Sequence, residues 1–271
     1  METAPARLPS WVLGENRRLG ASDDLKRRLR AGKLVTVCEQ ARCPNIGECF
    51  SAGTATFMIL GENCTRRCTF CSVKTGRGEV PDAAEPARVA DTSASLGLRY
   101  VVLTQVARDD LDDEGAGHFA RTIEAVHARI DGVQVEVLTA DFNGRAELVE
   151  IVMAARPEVF GHNIETVRRL TNEVRGRARY ARSLEVLSLA AGIARRDGRG
   201  LVKSGVMVGF GETREDLVET MQDLRGAGCQ LLTIGQYLRP TREQRPVARY
   251  YEPAEFDELR VPLSLLPPFP S

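Results

Sequence analysis

The sequence predicts an α/β fold, a partial (βα)6 barrel with an N-terminal cysteine-bearing extension and an irregular C-terminal tail. From residue 54 onward, short apolar runs rich in β-branched residues alternate with longer stretches of helical period, the pattern of repeated βα units. The apolar runs read as strands of a parallel sheet covered by helices. Both ends of the chain depart from this alternation, the first through clustered cysteines and the last through clustered prolines.

In order along the chain, a basic helical segment at 25–30 leads into a cysteine-bearing loop with Pro44 and Gly47. Residues 1–53 therefore read as an extension folded over one end of the barrel. Strands are expected near 55–60, 100–104, 133–139, 158–162, 201–208 and 231–235, enough for most of a barrel. Helical patterns fill the gaps, for example at 117–130, 146–155, 184–195 and 213–227. The last opens on Thr213 as N-cap, with Asp216 three positions on. Residues 54–240 make up the barrel. Residues 241–271 form a C-terminal segment expected to be irregular, because its end, VPLSLLPPFPS, holds four prolines in 11 residues and cannot continue a helix.

Length and composition bound the function. A chain of 271 residues with 43% hydrophobic side chains buries an ordinary core. Lys plus Arg and Asp plus Glu balance at 37 each, so no overall field favours nucleic acid or an anionic membrane, and neither is expected as a partner. No run of about 18 apolar residues occurs. The first ten residues lack the apolar core of a signal peptide, and a cytoplasmic location is expected.

Of seven cysteines, six fall within 34 residues. The odd count and the missing secretion signal argue against a disulfide framework and for metal or cluster ligation. Cys64, Cys68 and Cys71 stand at spacing C-x3-C-x2-C, directly after the first strand, where a barrel gathers its catalytic groups. Three such thiolates hold three irons of a 4Fe-4S cube and leave one iron open to a ligand. Structural zinc is the alternative, but it favours four ligands from paired C-x2-C knuckles, and one such pair is present. Cys38, Cys43 and Cys49 form a second triad, C-x4-C-x5-C, too widely spaced for zinc knuckles.

The loop CTRRCTFC, with Phe70 before Cys71, resembles the signature of the radical S-adenosylmethionine (SAM) superfamily. The double motif resembles that of one family within it, lipoyl synthase. Further segments that carry this likeness are PSW at 9–11, TVCEQARCPNIGECF, RYVVLT, RDDL, VFGHNIETV, KSGVMVGFGET, LTIGQYLRP and PAEFDEL. The resemblance implies a barrel of the radical SAM type and two 4Fe-4S clusters. The cluster on Cys64, Cys68 and Cys71 would cleave SAM to a deoxyadenosyl radical. The auxiliary cluster on Cys38, Cys43 and Cys49 would be consumed as the sulfur donor. The implied reaction is sulfur insertion at C6 and C8 of a protein-bound octanoyl-lysine, a sulfurtransferase step of lipoate biosynthesis. Implied partners are octanoylated lipoyl domains or the glycine cleavage H protein, with ferredoxin or flavodoxin as electron donor. A radical is needed because an unactivated C–H bond has no acidic proton for a side-chain base.

Other positions are read more broadly. Asn163 and Glu165 follow a strand end and suit ribose hydroxyls or the cofactor ammonium, or else a helix cap and first-turn carboxylate. Gly209, in the stretch GVMVGFGE, permits close approach of the adenine or marks an ordinary turn. Lys203, a cation inside a core strand, needs an outward route or an anionic partner, which the cofactor carboxylate would supply. Phe70 is grouped with these cofactor contacts. Arg66 and Arg67 are either counter-charges to the cluster or solvated loop residues. Arg108, Asp109 and Asp110 are read as a salt-linked loop without an assigned role. Lipoyl synthases carry Arg-Ser-Ser-Tyr near the C-terminus, whose serine ligates the auxiliary cluster; this chain lacks that tetrapeptide, and its fourth ligand is unassigned. Two readings stay open beside the main one: a paralogue or truncated form that cleaves SAM without efficient sulfur insertion, and a non-enzymatic iron-sulfur protein.

Overall fold

The computed structural model describes residues 9–11, 35–36 and 56–260. Cys38, Cys43 and Cys49, the segment 25–30 and the tail 261–271 lie outside the described residues.

Seven strands form one sheet in the order β1 (Val35–Thr36), β2 (Thr56–Ile59), β5 (Tyr100–Gln105), β6 (Gln134–Leu138), β7 (Val159–Gly161), β8 (Leu201–Val208) and β9 (Leu231–Gln236). The last six run parallel, as expected, while β1 pairs antiparallel on the outer edge of β2. A small ribbon, β3 (Asn63–Cys64) with β4 (Lys74–Thr75), brackets the cysteine loop. The helices are α1 (Glu85–Ser95), α2 (Ala116–Arg129), α3 (Ala146–Ala154), α4 (Thr171–Arg175), α5 (Tyr180–Asp197), α6 (Arg214–Gly226) and α7 (Pro253–Leu259).

Local chemistry sets several helix ends. Thr213 caps α6 in a reciprocal box with Asp216, and Glu252 and Glu255 do the same for α7. Gly198 closes α5 in the left-handed conformation at φ +66°, open to glycine without the Cβ cost. The segment 241–260, expected to be irregular, thus contains a helix: Pro253 sits at its first position, where proline is tolerated. Phe256 of α7 meets Trp11 edge-on at 6.5 Å between ring centroids, so the Trp11 ring docks on that helix.

Strand alternation divides the barrel wall. Phe57, Ile59, Val101, Leu103, Val135 and Val137 face the helices and are fully buried. The opposite face carries half-buried Tyr100, Val102, Lys203 and Met207 along paired registers. Because the six strands are parallel, all their exits open at one end, and the loops after them converge there.

Candidate functional site

The site begins at the exit of β2. Leu60 takes φ +69°, costly for a residue with a branched side chain, and Gly61 follows at +91°. Two charged side chains hold this turn: the Leu60 N–H donates to the Glu85 carboxylate at 2.9 Å, and its carbonyl accepts from Arg108 Nη1 at 3.1 Å. Arg108 is itself buried and fixed by Asp110 at 2.8 Å. A Cβ on Gly78 would lie 2.3 Å from Arg108 Nε, so glycine is what lets the guanidinium in.

The loop that this turn launches carries Cys64, Cys68 and Cys71, all half-buried and free. Cys64 Sγ accepts from the Arg66 N–H at 3.4 Å and Cys71 Sγ from the Val73 N–H at 3.5 Å. Burial pushes the Cys68 thiol up to about 12 and raises Cys71 as well. Cys68 and Cys71 are therefore hard to ionise unless metal takes their protons' place. Among the described residues, no three His, Cys, Asp or Glu side chains close around a single ion.

Arg66 and Arg67 diverge. Arg66 is buried, with its guanidinium on Asp109 and Asp141, each at 2.7 Å. Burial alone would lower its affinity for a proton, but the two carboxylates override that and hold it above the ordinary value. Asp109 also accepts from Thr65 at 2.6 Å and Asn143 at 2.9 Å. The RDD run, unassigned in sequence, is therefore the clamp of the cysteine loop. Arg67 is exposed. Phe70 anchors the loop's far end, 6.3 Å from the Phe210 ring, which stacks on Tyr237 at 4.4 Å.

Beside the thiols stand Asn163 and Glu165. Glu165 adopts φ +66° and bridges to β8, its N–H donating to Gly205 O at 2.9 Å and its carbonyl accepting from Met207 at 2.8 Å. Burial raises its carboxyl, opposed by Arg175. A Cβ on Gly205 would lie 2.6 Å from Asn163 Oδ1, so the bare backbone of β8 is the bed of that amide. Arg175 accepts from the Cys68 thiol through its carbonyl at 3.6 Å; its side chain is 6% exposed, with Nε buried and without a partner.

Other side chains around the site are engaged within the protein. Lys203 finds its anionic partner within the protein, 2.7 Å from Glu136, which also accepts from Tyr100 at 2.6 Å. The space beside Gly209 is filled by Gln236 Nε2, 2.4 Å from where a Cβ would stand. Gln236 and Arg239 bond to backbone carbonyls of the 237–249 loop. Cys229 is buried in the core. His162 is buried between Thr139 O and Ser183 Oγ, each at 2.9 Å.

Sequence reasoning missed Arg175 and Asp141. Arginine at a helix end and aspartate before a single phenylalanine carry no local signal of burial.

Comparison with known proteins places this geometry. The model of the radical SAM superfamily matches residues 58–224. The chain is 52% identical to the lipoyl synthase of Methylococcus capsulatus, over 94% of its own length and 79% of that protein. It is 54% identical to the lipoyl synthase of Rubrobacter xylanophilus, over 86% and 72%. Among solved structures, methylornithine synthase matches with a TM-score of 0.55 at 13% identity, covering 88% of this chain and 65% of that one. The hydrogenase maturase HydG matches with a TM-score of 0.55 at 13% identity, covering 88% and 60%. Likeness at such identity speaks for the fold alone.

Proposed function

The chain belongs to the lipoyl synthase family of the radical SAM superfamily, and from that premise we propose that it inserts two sulfur atoms, at C6 and C8, into a protein-bound octanoyl-lysine. The observation that carries this reading is the convergence of Cys64, Cys68 and Cys71 with Asn163, Glu165 and Arg175 at the carboxyl end of a parallel sheet. When bound, the 4Fe-4S cluster with SAM supplies the radical that removes hydrogen from an unactivated carbon, and the auxiliary cluster supplies the sulfur.

The chain's own residues hold and shield these groups. Cys64, Cys68 and Cys71 bind three irons and leave the fourth open. The Asn163 amide and the Glu165 carboxylate offer a donor and acceptors to ribose hydroxyls or an ammonium group. Glu85, Arg108, Asp109 and Arg66 keep the loop from relaxing. Phe70 contributes an apolar wall on the adenine side. Lys203 and Gly209 act one step away, through Glu136 and Gln236. Cys38, Cys43 and Cys49 would hold the auxiliary cluster, in an extension over 1–53 that precedes the barrel at 54–240 and the segment 241–271.

The substrate is an octanoylated lipoyl domain or glycine cleavage H protein, and the electron comes from ferredoxin or flavodoxin. No helix among the described residues is long and apolar enough to cross a membrane. A cytoplasmic setting suits oxygen-sensitive clusters. Anaerobic reconstitution followed by mass spectrometry of an octanoylated lipoyl-domain peptide tests the assignment. A gain of two sulfurs is expected, with about eight irons per chain. Deoxyadenosine release without sulfur gain would instead favour the reading of a SAM-cleaving paralogue.

A further inference from the structure

Arg175 is a buried cation without an anion. Its Nη1 donates to Ile164 O at 3.2 Å and Ser183 Oγ at 2.7 Å, both neutral, and it forms no salt bridge among the described residues. Burying a guanidinium this way is expensive unless a negative charge is brought to it. Arg66, the other buried arginine near the thiols, has its charge matched by Asp109 and Asp141. Arg175 is tied to the cysteine loop by its own carbonyl, which accepts from the Cys68 thiol at 3.6 Å, and Glu165 and Cys68 are the ionisable groups that act most on its charge.

Its orientation is fixed by a polar chain with one consistent set of protons. Thr139 O can only accept, so His162 Nδ1 carries the hydrogen at 2.9 Å. His162 Nε2 then accepts from the Ser183 hydroxyl at 2.9 Å, which leaves a Ser183 lone pair for Arg175. The chain requires neutral His162, whose proton affinity burial and Arg175 both depress.

We propose that Arg175, aimed by the His162–Ser183 relay, is the counter-charge that stabilises the reduced cluster on Cys64, Cys68 and Cys71. The step is addition of one electron from a low-potential carrier, with no bond made or broken. The cluster gains one negative charge, and a fixed cation in a poorly screened place favours that product. The inference rests on the proposed cluster site, and Arg175 is a positioning residue rather than a ligand.

The test is the SAM-free midpoint potential of this cluster, read by EPR-monitored titration in a Cys38→Ala background so that a single cluster contributes. Arg175→Met and Arg175→Gln are expected to lower the reduced-to-oxidised ratio at fixed poise at least tenfold, about 59 mV for one electron. Arg175→Lys should retain most of the potential. Ser183→Ala, which keeps the charge but frees it, should shift it less and in the same direction. An unmoved midpoint in an iron-loaded neutral variant overturns the proposal, as does a change confined to SAM affinity. If neither neutral variant loads iron, an unmoved midpoint in Ser183→Ala overturns it. Absence of iron from the parent protein would sink the cluster site itself, a separate result.

Discussion

Arg66 and Asp109 show how a single buried pair governs a loop. Burial raises the Asp109 carboxyl, but Arg66, Thr65 and Asn143 together overcome this and hold it well below the usual carboxylate range. Removing Asp109 leaves Arg66 with Asp141 alone and strands its other buried donors, a cost of roughly 1–3 kcal/mol. Asp109→Ala should therefore lose about that much stability in chemical denaturation, and reconstituted iron should fall with it. Loss below about 1 kcal/mol would show that water replaces the pair. His162 gives a pH signature at the same scale. Its folded-state affinity for protons is depressed, chiefly by burial, from an unfolded value near 6.5 to about 4. The unfolded chain then binds more protons in that interval, so stability falls as pH drops from about 6.5 toward 4. His162→Gln should flatten the thermal midpoint across this window, and a slope equal to that of the parent would assign the effect to other groups.

Elements were legible where periodicity ran long and illegible where backbone strain or burial decided. The six parallel strands lie where apolar runs predict them, but β2 ends at Ile59 rather than residue 60 because Leu60 turns left-handed under the grip of Glu85 and Arg108. Helix α5 starts at Tyr180, four residues before the expected 184, since the Tyr180 ring is buried and its hydroxyl donates to Asp223 at 2.7 Å. The two-residue strands β1 and β3 are too short for any period to register. In the site, thiol spacing was readable because ligand chemistry demands it, whereas the Arg108–Asp110 clamp acts through contacts 29–48 residues distant in sequence. Strand β8 yields a prediction of its own. A methyl at Gly205 meets the end of a side chain rather than backbone, so Gly205→Ala should displace the Asn163 amide at a stability cost within about 1 kcal/mol. SAM affinity, measured by calorimetry on the reconstituted protein, should drop at least tenfold while the thermal midpoint holds. Unchanged affinity would remove Asn163 from the cofactor site.

At the scale of the whole molecule, the radical-generating set is drawn from one stretch of chain. Cys64, Cys68, Cys71, Asn163, Glu165 and Arg175 all lie within residues 56–260, and so do the groups that hold them: Glu85, Arg108, Asp109, Asp141 and Ser183. On the proposed division of labour, Cys64, Cys68 and Cys71 serve the radical step and Cys38, Cys43 and Cys49 supply the sulfur, so the two halves of the chemistry should separate cleanly. Cys38→Ala is expected to release deoxyadenosine at a rate within about threefold of the parent, while lipoyl formation on an octanoylated peptide disappears and bound iron falls by about half. Loss of both products would mean that the extension completes the radical site, and an unaltered sulfur yield would mean that Cys38 holds nothing the reaction consumes.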